Sequence, residues 1–339
     1  MILNFASLKK FLVIQTAFIG DVVLATGVVE KLRTYYPAAT IDFLLRKGNE
    51  GLLKDNLKLN NVWIWDKKNE KNKNLLRIIK LIRLQKYTHV INLHRFSSSG
   101  LITFLSGAPY KIGFDKNPFS FCYTTKIRHI ISKPFAENPI HETDRNHALI
   151  AHLTDTEKAL PKLYPSEQDY KNISQYQTHP YICIASASVW FTKQFPYEKW
   201  IELIDRLPSS YQIFLLGAPA DENLAQQIIA NTQHKNTVSL CGKLNFLESA
   251  ALMKNAVMNY ANDSAPLHFA SAVNAPVTEI YCSTVPAFGF YPLSEKSKSV
   301  EIAEQLSCRP CGLHGYAACP EGHFNCAKKI HSDQLLWWL

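Results

Sequence analysis

The 339-residue sequence predicts an α/β protein of two domains, each built on a parallel sheet. Strand-like and helix-like segments alternate in both halves, a pattern typical of parallel sheets covered by helices on both faces. The length suits two cores of moderate size. A segment with little apolar rhythm separates the halves, so we expect ligands to bind in a cleft between two domains.

The first half begins with a predicted buried strand at 10–15 (KFLVIQ), followed by the turn TAFIGD. Apolar positions at helical spacing predict a helix over 22–36, which Pro37 ends. This start also resembles a signal peptide, but Asp21 interrupts it and no convincing cleavage site follows, so we expect a strand in a cytoplasmic protein. Further predicted segments are strands at 40–45, 61–65 and 89–94 and an amphipathic helix at 75–85.

The second half repeats this alternation after residue 180. Its predicted strands lie at 181–187, 212–217, 238–242 and 257–262, with helices at 197–207 and from 221 and 247. The predicted organisation is a first domain at 1–160, a linker at 161–179, a second domain with a cysteine-rich tail at 180–327, and a C-terminal helix at 328–339. We expect Trp337 and Trp338 of that helix to pack on one domain.

The charge balance favours an anionic partner. Lys and Arg number 37 against 28 Asp and Glu, a formal net charge of +9. Nucleic acid is the weakest candidate, because no basic block with interleaved aromatics is present. The cluster Lys67, Lys68, Lys71 and Lys73 alternates with Asn and is interpreted as a solvated loop. No apolar stretch of membrane-spanning length follows the N-terminal region.

Several familiar phosphate-binding motifs are missing. There is no G-x-G-x-x-G and no G-x-x-x-x-G-K-[ST], so the dehydrogenase and kinase interpretations lose their main support. No D-x-D pair is present to hold a divalent ion against a diphosphate. The charge of a nucleotide would therefore be met by side chains and helix N-termini.

Three segments that follow strands carry candidate functional residues. Asp21 closes the turn after the first strand and is a candidate general base, although helix capping is the more common use of such an Asp. Thr192 and Lys193 end the segment SVWFTK and suit a phosphate. The segment NDSAPLHFASA at 262–272 opens a helix, with Asp263 and Ser264 in its entry turn and amides that suit an anion.

These segments, taken in order, resemble one known family. FLVIQTAFIGDVVLATGVVEKLRTYYP, NLHRFSSSGL, YKIGFD, HETDRNHALIAHL, SVWFTKQFPYEKW, NDSAPLHFASA and STVPAFGFYPL together look like the ADP-heptose:lipopolysaccharide heptosyltransferases of glycosyltransferase family 9, nearest in appearance to the heptosyltransferase II members. The resemblance implies the GT-B fold, in which two Rossmann-like domains face each other across a cleft. It also implies an inverting transfer of heptose from ADP-heptose to the lipopolysaccharide inner core, without a catalytic metal or other cofactor.

The resemblance also assigns roles and partners. Asp21 falls on the general base and Lys193 on the residue that neutralises the departing diphosphate. The donor-binding positions implied are Thr192, Asp263, Ser264, Ala265 and His268, and the acceptor-binding positions are Gly20, Arg95, Ser98, His141 and Arg145. For His268, a buried structural role is as good an interpretation as contact with the donor. For the acceptor residues, a solvated surface role is at least as good an interpretation as contact with the acceptor. The partners implied are an ADP-sugar and an anionic lipid-linked saccharide, with the enzyme cytoplasmic and peripheral at the inner membrane.

Two positions depart from the family pattern, since Ala265 and Cys282 stand where the family usually has Gly. An Ala methyl crowds a phosphate held close to the backbone. Two alternatives therefore stay open, a transferase that uses another nucleotide sugar and a non-catalytic nucleotide-sugar-binding protein.

Four of the eight cysteines cluster near the end with the spacing C-x2-C-x7-C-x6-C. They are Cys308, Cys311, Cys319 and Cys326. This spacing is compatible with a structural zinc site and equally with four reduced thiols in a loop-rich lobe. Related heptosyltransferases also carry cysteines in this tail, so the resemblance implies a structural role.

Overall fold

The computed structural model describes residues 9–339, which form two compact units. The first unit runs to Ile130 and adds Glu142–Leu163, and the second comprises Ile131–His141 and Tyr164–Leu339. The described part of the chain contains no helix long and apolar enough to cross a bilayer.

The first unit is a six-stranded sheet flanked by helices, and every pair of neighbouring strands is parallel. Residues 11–14 of the central strand are fully buried, as their unbroken apolar sequence predicts for a sheet covered on both faces. The strands are β1 Lys10–Ile14, β2 Thr40–Arg46, β3 Asn61–Trp65, β4 His89–Asn92, β5 Tyr110–Phe114 and β6 Thr125–Ile127. The helices are α1 Ile19–Tyr35, α2 Lys71–Leu84, α3 Ser97–Leu105 and α4 Glu142–Ala148.

The second unit repeats this architecture with six more parallel strands. Its strands are β7 Tyr181–Ala185, β8 Gln212–Leu215, β9 Thr237–Ser239, β10 Met258–Asn262, β11 Val277–Tyr281 and β12 Ser297–Glu301. Its helices are α5 Glu167–Ile173, α6 Tyr197–Asp205, α7 Glu222–Asn231, α8 Phe246–Lys254, α9 Ala265–Ala272, α10 Asn325–Lys328 and α11 Ser332–Leu335.

The two sheets share one strand order. The first runs β3-β2-β1-β4-β5-β6 and the second, read from its other edge, runs β9-β8-β7-β10-β11-β12. Each is the Rossmann order. The first three strands are added towards one edge of the sheet and the last three towards the other, so the switch point lies between the two central strands. The predicted α/β class with two Rossmann-like domains is therefore confirmed. In each unit the loops after these central strands, β1 and β4 or β7 and β10, mark the expected ligand position.

Some predicted boundaries differ from the structure. The first helix begins at Ile19, so Gly20 and Asp21 belong to its first turn and not to a loop. Lys71 and Lys73 lie in α2, although the sequence was interpreted as a solvated loop there. The predicted linker 161–179 carries α5, which belongs to the second unit and bonds to α8 through Asn172 and Glu248.

The C-terminal segment docks on the second unit through its tryptophans. The helix predicted over 328–339 is shorter in the structure, where α10 ends at Lys328 and α11 covers Ser332–Leu335. Trp337 Nε1 donates to Thr278 Oγ1 at 2.9 Å, and Trp338 Nε1 donates to the Tyr260 hydroxyl at 2.7 Å. Each indole N–H is thus hydrogen-bonded, while the ring packs against the sheet.

Candidate active site

Asp21 lies at the switch point of the first sheet, in the first turn of α1. Its carboxylate Oδ2 accepts a hydrogen bond from the Phe18 amide at 3.1 Å. Because Phe18 is the N-cap residue, Asp21 occupies the position of a helix-capping acid. The capping role anticipated for Asp21 is thus present, and the same bond holds the side chain at the carboxyl end of β1.

The electrostatic environment of Asp21 differs from that of an ordinary cap. Burial of the carboxyl, helped by the negative charge of Glu142, raises the pKa of Asp21 to about 7. The Phe18 amide and Arg95 act in the opposite direction but do not compensate. A carboxyl that titrates near neutral pH suits a general base, since it is both ionised and basic at the pH of the cell.

Positive side chains surround the neighbouring His94, which follows β4. Burial lowers the pKa of His94 to about 3, and the charges of Lys67, Arg95 and Arg46 add to this effect. The neutral ring pairs through Nδ1 with the Thr16 hydroxyl at 3.1 Å. Three cations therefore gather where β2, β3 and β4 end, at the same edge of the sheet as Asp21.

Sequence reasoning identified Arg95 of this group but missed Arg46 and Lys67. Lys67 Nζ donates to the Thr16 carbonyl at 2.7 Å, and burial, with Arg46 and Lys71 next, lowers the pKa of Lys67 to about 8. Arg46 lies over the Phe18 ring at 5.0 Å. Both residues stand directly at strand ends, the same signal that singled out Asp21, so attention to β2 and β3 would have found them.

The other predicted acceptor residues are dispersed. Gly20 is buried in α1, and Ser98 lies in the first turn of α3. Arg145 forms a buried ion pair with Glu142 at 2.7 Å. His141 belongs to the second unit, where its ring is fully buried and its Nε2 lies 2.9 Å from the Tyr291 carbonyl. The structure therefore gathers Arg95 with Asp21 and gives His141 and Arg145 internal partners.

Lys193 and Asp263 meet at the switch point of the second sheet. Lys193 follows β7, Asp263 follows β10, and Lys193 Nζ lies 2.7 Å from Asp263 Oδ2. The hydroxyl of Thr284, which follows β11, donates to the same oxygen at 2.7 Å. All three polar groups are largely buried. An anion that bound here would therefore displace the Asp263 carboxylate from the Lys193 ammonium.

Thr192 is held by hydrogen bonds to Tyr316, in the cysteine-rich tail. Its amide donates to the Tyr316 carbonyl at 3.1 Å, and the Tyr316 amide donates to its hydroxyl at 2.7 Å. Ser283 Oγ donates to the same hydroxyl at 3.0 Å. Gly315 has a φ of +77°, and a Cβ there would lie 2.9 Å from Thr192 Oγ1 and 3.0 Å from Lys193 Cγ. Sequence reasoning did not find Gly315, Tyr316 or Ser283 in this arrangement.

The start of α9 provides the predicted donor-binding turn. Ser264 is its N-cap, Ala265 its first residue, and the Ser264 hydroxyl bonds to the Asn262 carbonyl at 3.3 Å. Pro266 has no N–H and the Leu267 amide donates to the Ser264 carbonyl at 3.2 Å, so the first-turn amide that suits an anion is that of Ala265. His268 is buried one turn later, and burial lowers its pKa to about 4. Within residues 9–339 its Nδ1 has no hydrogen-bond partner.

The tail cysteines lie near one another, since Cys308, Cys311 and Cys319 each affect the pKa of the Cys326 thiol. In the described part of the chain no three His, Cys, Asp or Glu side chains are placed to hold a metal ion together. Cys326 is packed in the apolar core with Phe324 and Ala327, and this burial raises the pKa of its thiol to about 12. Burial of this kind is typical of a packed thiol, and the choice between a structural zinc site and four reduced thiols stays a prediction.

Comparison with protein families matches residues 75–314 to the model of glycosyltransferase family 9 (heptosyltransferase). The match begins in α2 and ends one residue before Gly315, which lies against Thr192. It therefore includes Arg95, Lys193, Asp263 and Thr284.

Individual relatives show the same likeness. The chain is 30% identical to lipopolysaccharide heptosyltransferase 3 of Escherichia coli K12, over 79% of this chain and 81% of that protein. Identity to lipopolysaccharide heptosyltransferase 2 of the same organism is 22%, over 86% and 88% of the two chains. The solved structure of E. coli ADP-heptose lps heptosyltransferase II superposes with a TM-score of 0.78 at 20% identity, covering 96% of each chain. Identity is thus higher to the type 3 relative, and the fold is that of the type II structure.

Proposed function

Because the chain belongs to glycosyltransferase family 9, the heptosyltransferases, we propose that it transfers heptose from ADP-heptose to the inner core of lipopolysaccharide. The observation that carries the proposal is a carboxyl with a pKa near 7, that of Asp21, at the switch point of the first sheet. The names of the relatives support the sugar and the acceptor, and one of them specifies ADP-heptose.

We propose that the reaction is a single in-line displacement. Asp21 accepts the proton of an acceptor hydroxyl while that oxygen forms a bond to the anomeric carbon of the heptose. The bond from this carbon to the diphosphate oxygen breaks, and the electron pair leaves with ADP. Attack from the face opposite the leaving group inverts the anomeric configuration.

Lys193 and the start of α9 would stabilise the leaving diphosphate. The Lys193 ammonium would move its pairing from Asp263 to a phosphate oxygen, and the Ala265 amide at the N-terminus of α9 would donate to the same anion. These groups supply positive charge at the leaving group, so the proposed mechanism needs no catalytic metal. The hydroxyl of Thr192 and the His268 ring are proposed as further donor contacts.

The cations near His94 support an anionic acceptor. Arg46, Lys67 and Arg95 stand at or just after the ends of β2, β3 and β4, which lie on either side of β1, on the edge that carries Asp21. Acidic sugars on a lipid anchor match this charge. We propose an acceptor of this class, reached from the cytoplasm at the inner face of the membrane.

The proposed function is tested by product analysis. Purified protein is incubated with a heptose-deficient lipid acceptor and with ADP-heptose, and the lipid product is analysed by mass spectrometry. We expect the acceptor to gain the mass of one heptose. If the acceptor stayed unchanged although the protein bound ADP, this donor–acceptor pair would be contradicted. The protein would then still have a nucleotide-binding site.

Ala265 favours a comparison of nucleotides, because its methyl stands at the anion-binding turn where the family usually has Gly. Binding of ADP, UDP and GDP is measured by calorimetry under the same conditions. Preference for UDP or GDP would favour the alternative of a transferase with another nucleotide sugar. Tight ADP binding with no transfer to any acceptor would favour a non-catalytic binding protein.

Gly315→Ala is expected to weaken ADP binding by roughly tenfold, the size of one or two lost polar contacts. The added methyl displaces Thr192 Oγ1 and Lys193 Cγ, and thereby disturbs the hydrogen bonds that hold Thr192. The matched control is Gly322→Ala. Gly322 has a similar φ of +70°, but its Cβ would meet no described atom within 4 Å.

Both glycine variants are strained by their positive φ, so both are expected to lower the thermal stability. Only Gly315→Ala should also change the ADP dissociation constant, measured by calorimetry on folded protein. Equal ADP affinities in the two variants would show that the tail does not shape the donor site. Absence of ADP binding in the unaltered protein would instead contradict the proposed donor.

A further inference from the structure

The first unit carries a long stretch without acidic residues. Residues 71–114 contain eight Lys or Arg and no Asp or Glu. Six of these cations belong to α2 and the turn after it, and all six are exposed: Lys71, Lys73, Arg77, Lys80, Arg83 and Lys86. Lys73 pairs with Glu70, which precedes the helix. The outer surface of α2 is therefore strongly positive.

The same helix exposes large apolar side chains between its cations. Leu76 and Leu84 are each 65% exposed, whereas Ile78, Ile79 and Ile82 on the opposite face are buried in the core. A soluble helix of this length commonly shows a polar outer face. Leucines placed among lysines and arginines form instead the outer face of an interfacial helix.

Three phenylalanines lie beside the C-terminal end of α2. The rings of Phe104, Phe119 and Phe121 contact one another with centroids 5.9 to 6.0 Å apart. Phe121 is 70% exposed and Phe104 is 43% exposed. The exposed charged side chains that flank Phe119 and Phe121 along the chain are Asp115 and Lys116 on one side and Lys126 on the other. An exposed aromatic cluster of this kind marks an interaction site.

The two features join through α3. Arg83 Nη1 of α2 donates to the carbonyl of Leu105 at 3.5 Å, and Leu105 is the neighbour of Phe104. Ile102 and Leu105 pack in the same apolar cluster as the buried face of α2. The basic helix and the phenylalanine cluster are thus adjacent parts of one surface of the first unit.

We infer that this surface, formed by α2 with Phe104, Phe119 and Phe121, docks on a lipid bilayer that contains anionic headgroups. The cations attract the negative surface, and the leucine and phenylalanine side chains insert between the headgroups. A nucleic acid would use the cations but has no use for exposed leucines. The inference deepens the proposed function, on which it rests for its lipid-linked acceptor.

The inference is tested with the full chain and vesicles that contain neither donor nor acceptor, so that the result is independent of transfer. Flotation compares phosphatidylcholine vesicles with vesicles that also contain phosphatidylglycerol. We expect binding to the anionic vesicles alone, and weaker binding as salt is raised. Failure to bind anionic vesicles, or preferential binding of single-stranded DNA, would overturn the inference. Neither outcome would affect the transfer assay.

Two pairs of variants locate the surface. Phe104→Ala with Phe121→Ala should weaken binding about tenfold, because buried apolar area is lost. The control is Leu57→Ala, an exposed apolar residue of the same unit that is 92% exposed. Arg77→Gln with Lys80→Gln should weaken binding by roughly tenfold or more. The control, Lys171→Gln with Lys235→Gln, removes the same charge from exposed positions of the second unit.

Circular dichroism confirms that each variant is folded before its binding is compared. Equal losses in the test and control pairs would show that only total charge or total apolarity matters, and would overturn the assignment of this surface. Losses confined to the test pairs would establish it.

Discussion

Asp21→Asn is expected to lower kcat for heptose transfer by about 10² to 10⁴ while ADP affinity changes little. The amide cannot take the proton of the acceptor hydroxyl, but its oxygen can still accept the bond from the Phe18 amide that caps α1. Single-turnover kinetics and calorimetry with ADP measure the two quantities. ADP affinity that fell as far as turnover would contradict the assignment of Asp21 as the base.

Asp169→Asn is the matched control for Asp21. Asp169 caps α5 through the same backbone contact, because its Oδ2 accepts from the Ser166 amide at 2.8 Å. It has no proposed part in the reaction. We expect Asp169→Asn to affect stability and to leave turnover per folded molecule unchanged.

The pH profile gives a second readout of the same residue. The base must be ionised, so kcat/KM of the unaltered protein should rise with pH and level off above about 7, the pKa of Asp21. The folded-state pKa is raised above the unfolded value of 3.8, so the folded protein favours the protonated carboxyl. Ionised Asp21 therefore opposes folding, and this effect grows as pH rises from about 4 to 7. Asp21→Asn should raise the thermal stability more at pH 8 than at pH 5.

Lys193→Gln is expected to lower kcat by about 10² to 10³ and to weaken ADP binding, because the developing charge of the leaving diphosphate loses its nearest cation. The structure adds a further cause. Asp263, which pairs with Lys193 at 2.7 Å, would remain as an unpaired carboxylate at the site of the diphosphate. Single-turnover kinetics measure the change in kcat, and calorimetry measures the change in ADP affinity.

The double variant Lys193→Gln with Asp263→Asn separates these two causes. It removes the carboxylate together with the cation, so it should bind ADP more tightly than Lys193→Gln alone although it stays poor in turnover. Together with the unaltered protein and Asp263→Asn alone, these two variants form a double-mutant cycle, and residues in direct contact should show a clear interaction energy. Additive effects on ADP affinity would show that the ion pair does not exchange with the diphosphate.

The sequence predicted those site residues that lie in segments following a recognisable strand. Asp263 follows β10 directly, and Asp21 and Lys193 lie in the segments that follow β1 and β7, so the rule that ligands bind at the carboxyl ends of parallel strands identified them. The strands β5, β6, β11 and β12 were not predicted; for β6 the reason is its length, because the three residues TKI are too few to show a period.

The sequence by itself determined the α/β class, the two halves, the residues after the central strands and the likeness to a family, since all of these depend on local periodicity or ordered motifs. Only the tertiary structure decided that Lys67 and Arg46 join Arg95 around His94, that His141 belongs to the second unit, and that Gly315 lies against Thr192. These contacts join segments far apart in the chain. Strand order and loop packing bring them together, and no local pattern records which distant segments will meet.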